Sequence, residues 1–264
     1  MNDIYVIGLT SAQQDFARVD RVALNLANMS TPGYKREVVA LRPFADVLMA
    51  ENASGRESTG SLSSSGQAAP ALGGMQVLFD VRPGSLKQTG QPFDLALTGD
   101  GFFEVATPSG PAYTRQGDFH LDQNGRLVTA LGDPVMGMGG EIYLTTRNPS
   151  VDTAGNITEP YATTGPGATA PGRPVAQIKV VHFENSGTLQ RLGNGLLASG
   201  QATAIASDNV TQIRQGALEN SNVDSMHEMV QLLQTVRHFE SMQRIVQGYD
   251  ELLGTAIRKL GDLS

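Results

Sequence analysis

Apolar residues recur at alternating steps of three and four near both ends of the chain, while the middle alternates in short runs broken by turns. Near the start, Leu9, Ala12, Phe16, Val19, Ala23 and Leu26 fall on one narrow seam of a helix. Gln13, Gln14, Asp15, Arg18, Asp20, Arg21 and Asn25 lie between them and read as wet faces. Near the end, Met226, Met229, Leu233 and Val236 make a second seam, which resumes as Phe239, Met242, Val246, Tyr249, Leu253, Ala256 and Leu260. The step from Val236 to Phe239 is a three where a four is due, a slip that overwinds a coiled coil or marks a change of partner. Gly248, Gly254 and Gly261 interrupt this second helix, each costing about 1 kcal/mol relative to Ala. One such stripe alone describes an amphipathic helix lying on its own core. One at each end points to helices that find each other, or copies in neighbouring molecules.

Thr31-Pro32-Gly33 should stop the first helix near Ser30, with Asn28 able to take left-handed geometry, and Tyr34 to Phe44 reads as extended. Residues 50–74 hold Ser, Gly, Ala and Thr with almost no large apolar side chain, the composition of a linker or long loop. Short strands are expected around Gln76–Val81, Phe93–Leu97 and Phe103–Val105. A hairpin should join Phe119 and Leu121 to Leu127 through Asn124-Gly125. Residues 145–174 read as a surface loop, Ile178–His182 as a strand, 189–198 as a strand pair, and 199–215 as the way back to the last helix. That helix should begin between Ser221 and Asp224, capped by Asn222 or Asp224. The expected fold is therefore α+β: discontinuous, coiled-coil-forming N- and C-terminal helices flanking a central antiparallel β domain. Residues 1–38 and 215–264 should form the terminal module, 39–74 a linker or long loop open to ordering on assembly, and 75–214 the β domain. No internal repeat stands out.

Composition narrows the function. The 264-residue chain is long enough for one or two domains, and its formal net charge of -7 leaves no basic excess to neutralise phosphates, which argues against nucleic acid. Cysteine is absent, so neither a disulfide framework nor a thiolate nucleophile is available. No run approaches the roughly 18 apolar residues of a membrane span, and the first residues lack a basic start and apolar block, so membrane insertion and a cleaved signal peptide are not expected. With no tryptophan and few aromatics, a deep ligand pocket is disfavoured.

Four segments resemble the bacterial flagellar rod and hook family of axial proteins. The first runs through Asn25, Ala27, Asn28, Thr31, Pro32, Gly33, Tyr34 and Lys35. The second runs from Gly84 through Leu86, Thr89-Gly90 and Asp94–Leu97 to Gly99, Gly101, Phe102 and Phe103. The third is Tyr113-Thr114-Arg115 with Gly117, Phe119, Leu121-Asp122, Gly125 and Leu127–Thr129. The fourth is Gly216–Asp224, including Ser221, Asn222 and Val223, leading into Glu228–Val230 and Arg237 to Phe239. The resemblance implies terminal helices forming an inner coiled-coil tube around an export channel, an outer β shell, and subunits stacked helically with copies of themselves and other rod and hook axial proteins. It also implies passage through the flagellar type III export apparatus without a cleaved signal, and a place in the basal body across the periplasm. Length and the Arg237–Arg244 stretch favour a rod protein over the hook, and Arg237-His238-Phe239-Glu240 the proximal rod type over the distal.

No catalytic or metal-binding pattern stands out in the sequence. His227 and His238 share a helix face, but the only acidic neighbour at useful spacing is Glu240 beside His238, so surface histidines are expected rather than a metal site. Gly99-Asp100-Gly101 completes no phosphate-binding fingerprint, and no Gly-x-Ser-x-Gly elbow occurs. No catalytic residue, metal or cofactor is assigned. The competing reading is a periplasmic cell-wall-acting enzyme or binding module whose helices brace a β domain, which requires a pocket with a carboxylate pair.

Overall fold

The computed structural model describes residues 3–41, 75–162, 169–170, 172, 174–183, 189–199, 204–206 and 211–261. The expected linker at 50–74 and part of the expected 145–174 loop lie outside the described residues. The chain divides into two compact units, one of residues 1–26, 38–77 and 225–264 and the other of residues 27–37 and 78–224.

The first unit is built on α1 (Asp3–Ala27) and α2 (Ser225–Gly261), with the strands Glu37–Leu41 and Met75–Phe79 paired as a ribbon. Contacts run in opposite directions along the two helices. Val246 is the side chain that a Cβ on Gly8 would meet, Asp15 reaches His238, Phe16 stacks near Phe239, and Asn25 reaches Glu228. The helices are therefore antiparallel. α2 continues through Gly248 and Gly254 to its end, so the local propensity loss at these glycines does not break it. The first helix ends three residues earlier than expected, at Ala27. Asn28 does not take the left-handed conformation: its carbonyl accepts the Thr31 amide at 3.1 Å, and the positive φ of 65° falls on Gly33. The last helix begins at Ser225, and Asn222 does not cap it, because its side chain is engaged with residues 36, 80 and 82.

In the second unit a six-stranded antiparallel sheet runs in the order Gln190–Gly193, Leu196–Ala198, Gly110–Thr114, Phe102–Thr107, Val180–Phe183 and Ala204–Ala206. Side chains alternate across the Phe102–Thr107 strand. Phe103 and Val105 enter the larger core with Leu95, Leu97, Phe119, Leu127, Val135 and Ile178, whereas Phe102 joins Tyr113, Val181, Leu189 and Leu197 on the other face. Both faces are thus covered, which is why this strand reads as a nearly continuous apolar run.

Leu121 pairs with Leu127 as the sequence indicates, but only Gly125, at φ 80°, takes a positive angle in that turn. The Asp122 carboxylate accepts the amides of Asn124 and Arg126 at 2.8 Å while its carbonyl accepts that of Gly125 at 3.1 Å. Asp152 repeats this arrangement with Ala154, Asn156 and Gly155, so an Asp-x-x-Gly turn recurs where the sequence shows no obvious repeat. That turn joins Ser150–Val151 to Asn156–Thr158, which pairs with Pro174–Gln177; the expected 145–174 loop therefore contains a small sheet. Gln212–Gln215 and Ala217–Glu219 likewise return as strands beside Leu95–Thr98 and Leu86–Gln88.

Asp94 and Asp118 sit opposite each other in an isolated antiparallel bridge. Burial pushes the Asp118 carboxyl above its ordinary value and the Asp94 charge adds to the rise, against a backbone hydrogen bond that lowers it. The folded chain then binds that proton more tightly than the unfolded one. The resulting stability is full below the ordinary value of 3.8 and is lost as pH rises through the raised folded value. Asp118→Asn should accordingly raise the urea midpoint at pH 7 and give no advantage below about pH 3.8. Urea titrations at the two pH values check both halves of the expectation.

Candidate functional site

The helix pair is where the sequence places the assembly surface, and its two faces are not the ones a solitary helix pair would choose. α1 buries Gly8, Asp15, Val22 and Asn25, with Ala12, Val19 and Leu26 half-buried and Leu9, Phe16 and Ala23 exposed. On α2 the buried side chains are Glu228 and Thr235, while Met226, Met229, Leu233 and Val236 are 73, 53, 59 and 40% exposed. Further along, Phe239, Met242, Val246 and Tyr249 are half-buried, and Phe239 and Val246 meet α1. The Leu253 side chain lies outside the described residues. A step of three turns a stripe back by about 60° around a helix. Three such steps in succession, Leu233 to Val236 to Phe239 to Met242, carry the apolar stripe from the outer face of α2 to the face on α1. The slip read from the sequence is thus the place where the stripe changes sides.

Polar groups occupy the inner face opposite the outward-facing methionines. Asn25 Nδ2 donates to Glu228 Oε2 at 3.2 Å, and both residues are at most 1% exposed. Asp15, also buried, meets His238 Nδ1 at 2.7 Å. Asp15 and Asn25 were expected on wet faces. They are buried because a hydrogen-bonding partner on α2 removes most of the desolvation cost of enclosing them. His238 keeps an exposed edge but is tied to α1 rather than free on the surface. The Phe16 and Phe239 rings lie 5.1 Å apart, so the exposed shoulder of α1 sits on the same side as Phe239. Val236, Leu233 and Met229 follow from Phe239 around that side of α2. One broad face of the pair is therefore apolar across both helices.

The four sequence motifs converge elsewhere, around Glu219 in the second unit. Its carboxylate accepts Lys35 Nζ at 2.7 Å, the Gly84 amide at 2.8 Å and Arg115 Nη1 at 3.1 Å, and its carbonyl accepts the Gly33 amide at 2.7 Å. Lys35 also donates to the Arg82 carbonyl at 2.8 Å, and Arg115 to that of Gly99 at 2.7 Å. All three charged side chains are almost wholly enclosed. Burial lowers both the Lys35 ammonium and the Arg115 guanidinium from their ordinary values, with the Glu219 charge opposing the fall in each. Asn222 binds the Arg36 amide and the carbonyls of Asp80 and Arg82, and Val223 donates to the Ser221 hydroxyl at 3.2 Å. Gly33 lies against the Arg115 backbone so closely that any Cβ would collide with it. Tyr34 is buried, and the Arg191 guanidinium lies over its ring at 5.3 Å while pairing with Glu37 at 2.6 Å. Of the remaining motif residues, Phe102 and Phe103 are core, Gly101 is buried, Ala27 is exposed, and Thr31 and Pro32 sit half-buried in the turn.

Lys35, Arg115 and Glu219 stand inside the sequence motifs, but nothing in their local pattern assigns them a role. The available signal was three charged residues standing next to glycines and apolar runs. Beside this cluster lies a cavity of about 20 Å³, enough for little more than one water. The groove of about 620 Å³ lined by Gln91, Phe93, Asp94, His120, Asp122 and Arg147 gathers no set of metal ligands, and no group of three such ligands occurs among the described residues. No helix among the described residues is long and apolar enough to cross a membrane.

Comparison with known proteins gives one answer across the chain. The family described as Flagellar basal body rod FlgEFG protein C-terminal matches residues 214–259, and that described as Flagellar hook protein FlgE/F/G D1 domain matches residues 96–159. The chain is 31% identical to the flagellar basal-body rod protein FlgG of Bacillus subtilis, over 93% of its own length and 94% of the relative's. It is 30% identical to FlgF of Mesorhizobium japonicum over all of both chains, and 30% identical to FlgF of Salmonella typhimurium over 97% of each.

Removing Glu219 leaves two buried cations facing each other without an anion. Glu219→Ala should cost about 3–5 kcal/mol of unfolding free energy, and Glu219→Gln less, since the amide oxygen still accepts one hydrogen bond. Urea unfolding of the full chain, followed by circular dichroism, measures both.

Proposed function

The chain belongs to the flagellar basal-body rod protein family, a structural and non-enzymatic family of the basal body, and from that premise we propose that it polymerises through its terminal helices into the hollow rod. In this reading copies of the chain and sibling rod and hook proteins stack helically, transmit motor torque as a drive shaft and enclose the export channel. The helical ends, residues 1–38 and 215–264, make an inner coiled-coil tube. The β domain of residues 75–214 makes the outer shell, and residues 39–74 connect the two. The subunit reaches the periplasm through the type III export apparatus. The relatives carry both FlgF and FlgG names; the Arg237-His238-Phe239-Glu240 stretch favours the proximal position.

The observation that carries this reading is the inverted first half of α2. Over these turns Glu228 and Thr235 are enclosed while Met226, Met229, Leu233 and Val236 face outward. A helix that is stable alone puts its apolar stripe inward. This one leaves an apolar face across two helices, the kind of patch that marks a protein contact. A contact between unlike patches on successive subunits does not close and so grows a filament. The wall-cutting alternative is dropped, because the family is structural.

A carboxylate placed in the packed seam has neither solvent nor partner. Leu233→Asp and Phe16→Asp should each abolish swimming in soft agar while the purified full-length variants keep the β-rich circular dichroism of the parent. Leu233→Asp is the cleaner of the two, since Phe16 also stacks on Phe239 within the chain. Swimming by both variants would remove the assembly role of these faces.

A further inference from the structure

The cluster around Glu219 encloses one more cation than anion. Lys35 and Arg115 share the single Glu219 carboxylate, and all three side chains are at most 3% exposed. Arg191 beside them is matched by Glu37. Two further carboxylates act on the pair, Asp80 on Lys35 and Asp100 on Arg115, but Asp80 is bonded to Arg82 and Asp100 is exposed. A surplus positive charge is thus held away from water, where it is costly unless an anion answers it. The same cluster leaves one donor unused. Arg115 gives Nη1 to Glu219 and Nη2 to the Gly99 carbonyl, while its Nε is buried with no hydrogen-bond partner among the described residues.

The cavity of about 20 Å³ adjoins this donor. Its charged walls are Lys35, Arg115 and Arg191, with Glu37 as the one carboxylate, and Phe79, Phe102, Leu196 and Leu197 make it largely apolar. Neither Glu219 nor Gly99 borders it, so Arg115 turns toward the space the edge that carries Nε rather than its two bonded nitrogens. A water would need two to four polar partners and would leave the surplus charge uncancelled. Phosphate, sulfate and carboxylate groups are too large for a space of little more than one water. A single-atom anion fits, and halides are weakly enough hydrated to accept an apolar wall. We infer that this cavity is a halide site, in which one chloride accepts the Arg115 Nε–H and neutralises the surplus charge of the Lys35, Arg115 and Glu219 cluster. The site lies within one copy and requires nothing of the assembly reading.

Bromide is the probe, because its anomalous scattering distinguishes it from water. Crystals of the full-length chain soaked in sodium bromide should show an anomalous peak in the cavity, within hydrogen-bonding reach of Arg115 Nε. Peaks confined to the protein surface, an adventitious ion only, would overturn the site, as would a water in the cavity. In solution, the urea midpoint of the full chain is compared in sodium bromide and sodium gluconate at equal ionic strength. Gluconate cannot enter the cavity, yet as the more strongly excluded anion it is the better general stabiliser. A higher midpoint in bromide therefore reports binding, with the folded-to-unfolded ratio rising up to tenfold for each tenfold increase in halide. An equal or lower midpoint in bromide would overturn the inference. Arg115→Lys keeps a cation beside Glu219 but lacks the Nε–H, so the bromide dependence should be largely lost. A dependence unchanged in that variant would overturn the assignment to Nε, and if the variant does not fold, the anomalous map decides.

Discussion

The second unit depends on one carboxylate holding two cations away from water. Glu219 closes on Lys35 and Arg115 and accepts the Gly33 and Gly84 amides directly, while Arg115 adds the Gly99 carbonyl, so segments distant in sequence are fixed at one point. Apolar packing alone tolerates sliding and repacking. A buried charge triad held by hydrogen bonds does not, since displacing any member exposes the others to the cost of an unpaired buried charge. The glycines follow from this demand. Gly33 has to lie on the Arg115 backbone for its amide to reach the Glu219 carbonyl, and the left-handed angle it adopts there is open to glycine at little cost.

The helix pair follows the opposite logic. Its inner face is held in part by Asn25 with Glu228 and Asp15 with His238, which give the antiparallel pair a register but little of the apolar burial that stabilises a bundle. Over the first half of α2 the apolar side chains lie on the outside. In the proposed assembly such a pair is marginal in one copy and is completed by its neighbours.

Much of this was legible in the sequence. Both helices, the α+β class, the Leu121–Leu127 hairpin and the stripe on each helix follow from periodicity and turn chemistry, which are local. The position of the slip at Val236 was legible too, but its meaning was not, because periodicity gives a face and not what lies against it. The same limit hid Asp15 and Asn25: polar residues between apolar ones look solvated until a partner two hundred positions away is brought up to them. The short strands near Asp152 were missed for a different reason. Two- and three-residue strands carry almost no alternation, and only the Asp-x-x-Gly turn, seen already at Asp122, signals them.

The inverted half of α2 also separates folding from assembly in energetic terms. If its methionines and leucine packed on α1, the pair would be a stable hairpin with no apolar face to offer, and each added subunit would have to open it first. With Glu228 and Thr235 inside instead, the apolar stripe is exposed in advance and needs no rearrangement to meet a partner. The cost is a sticky monomer, and the small extent of the patch limits it. Three turns of stripe are too few to hold two free copies together, whereas in the proposed polymer each copy would be held by several such contacts at once. The inward turn of the stripe after Val236 keeps the patch that short, so in the proposed assembly the one irregular step in the second seam limits contact between free copies and leaves the polymer to hold them.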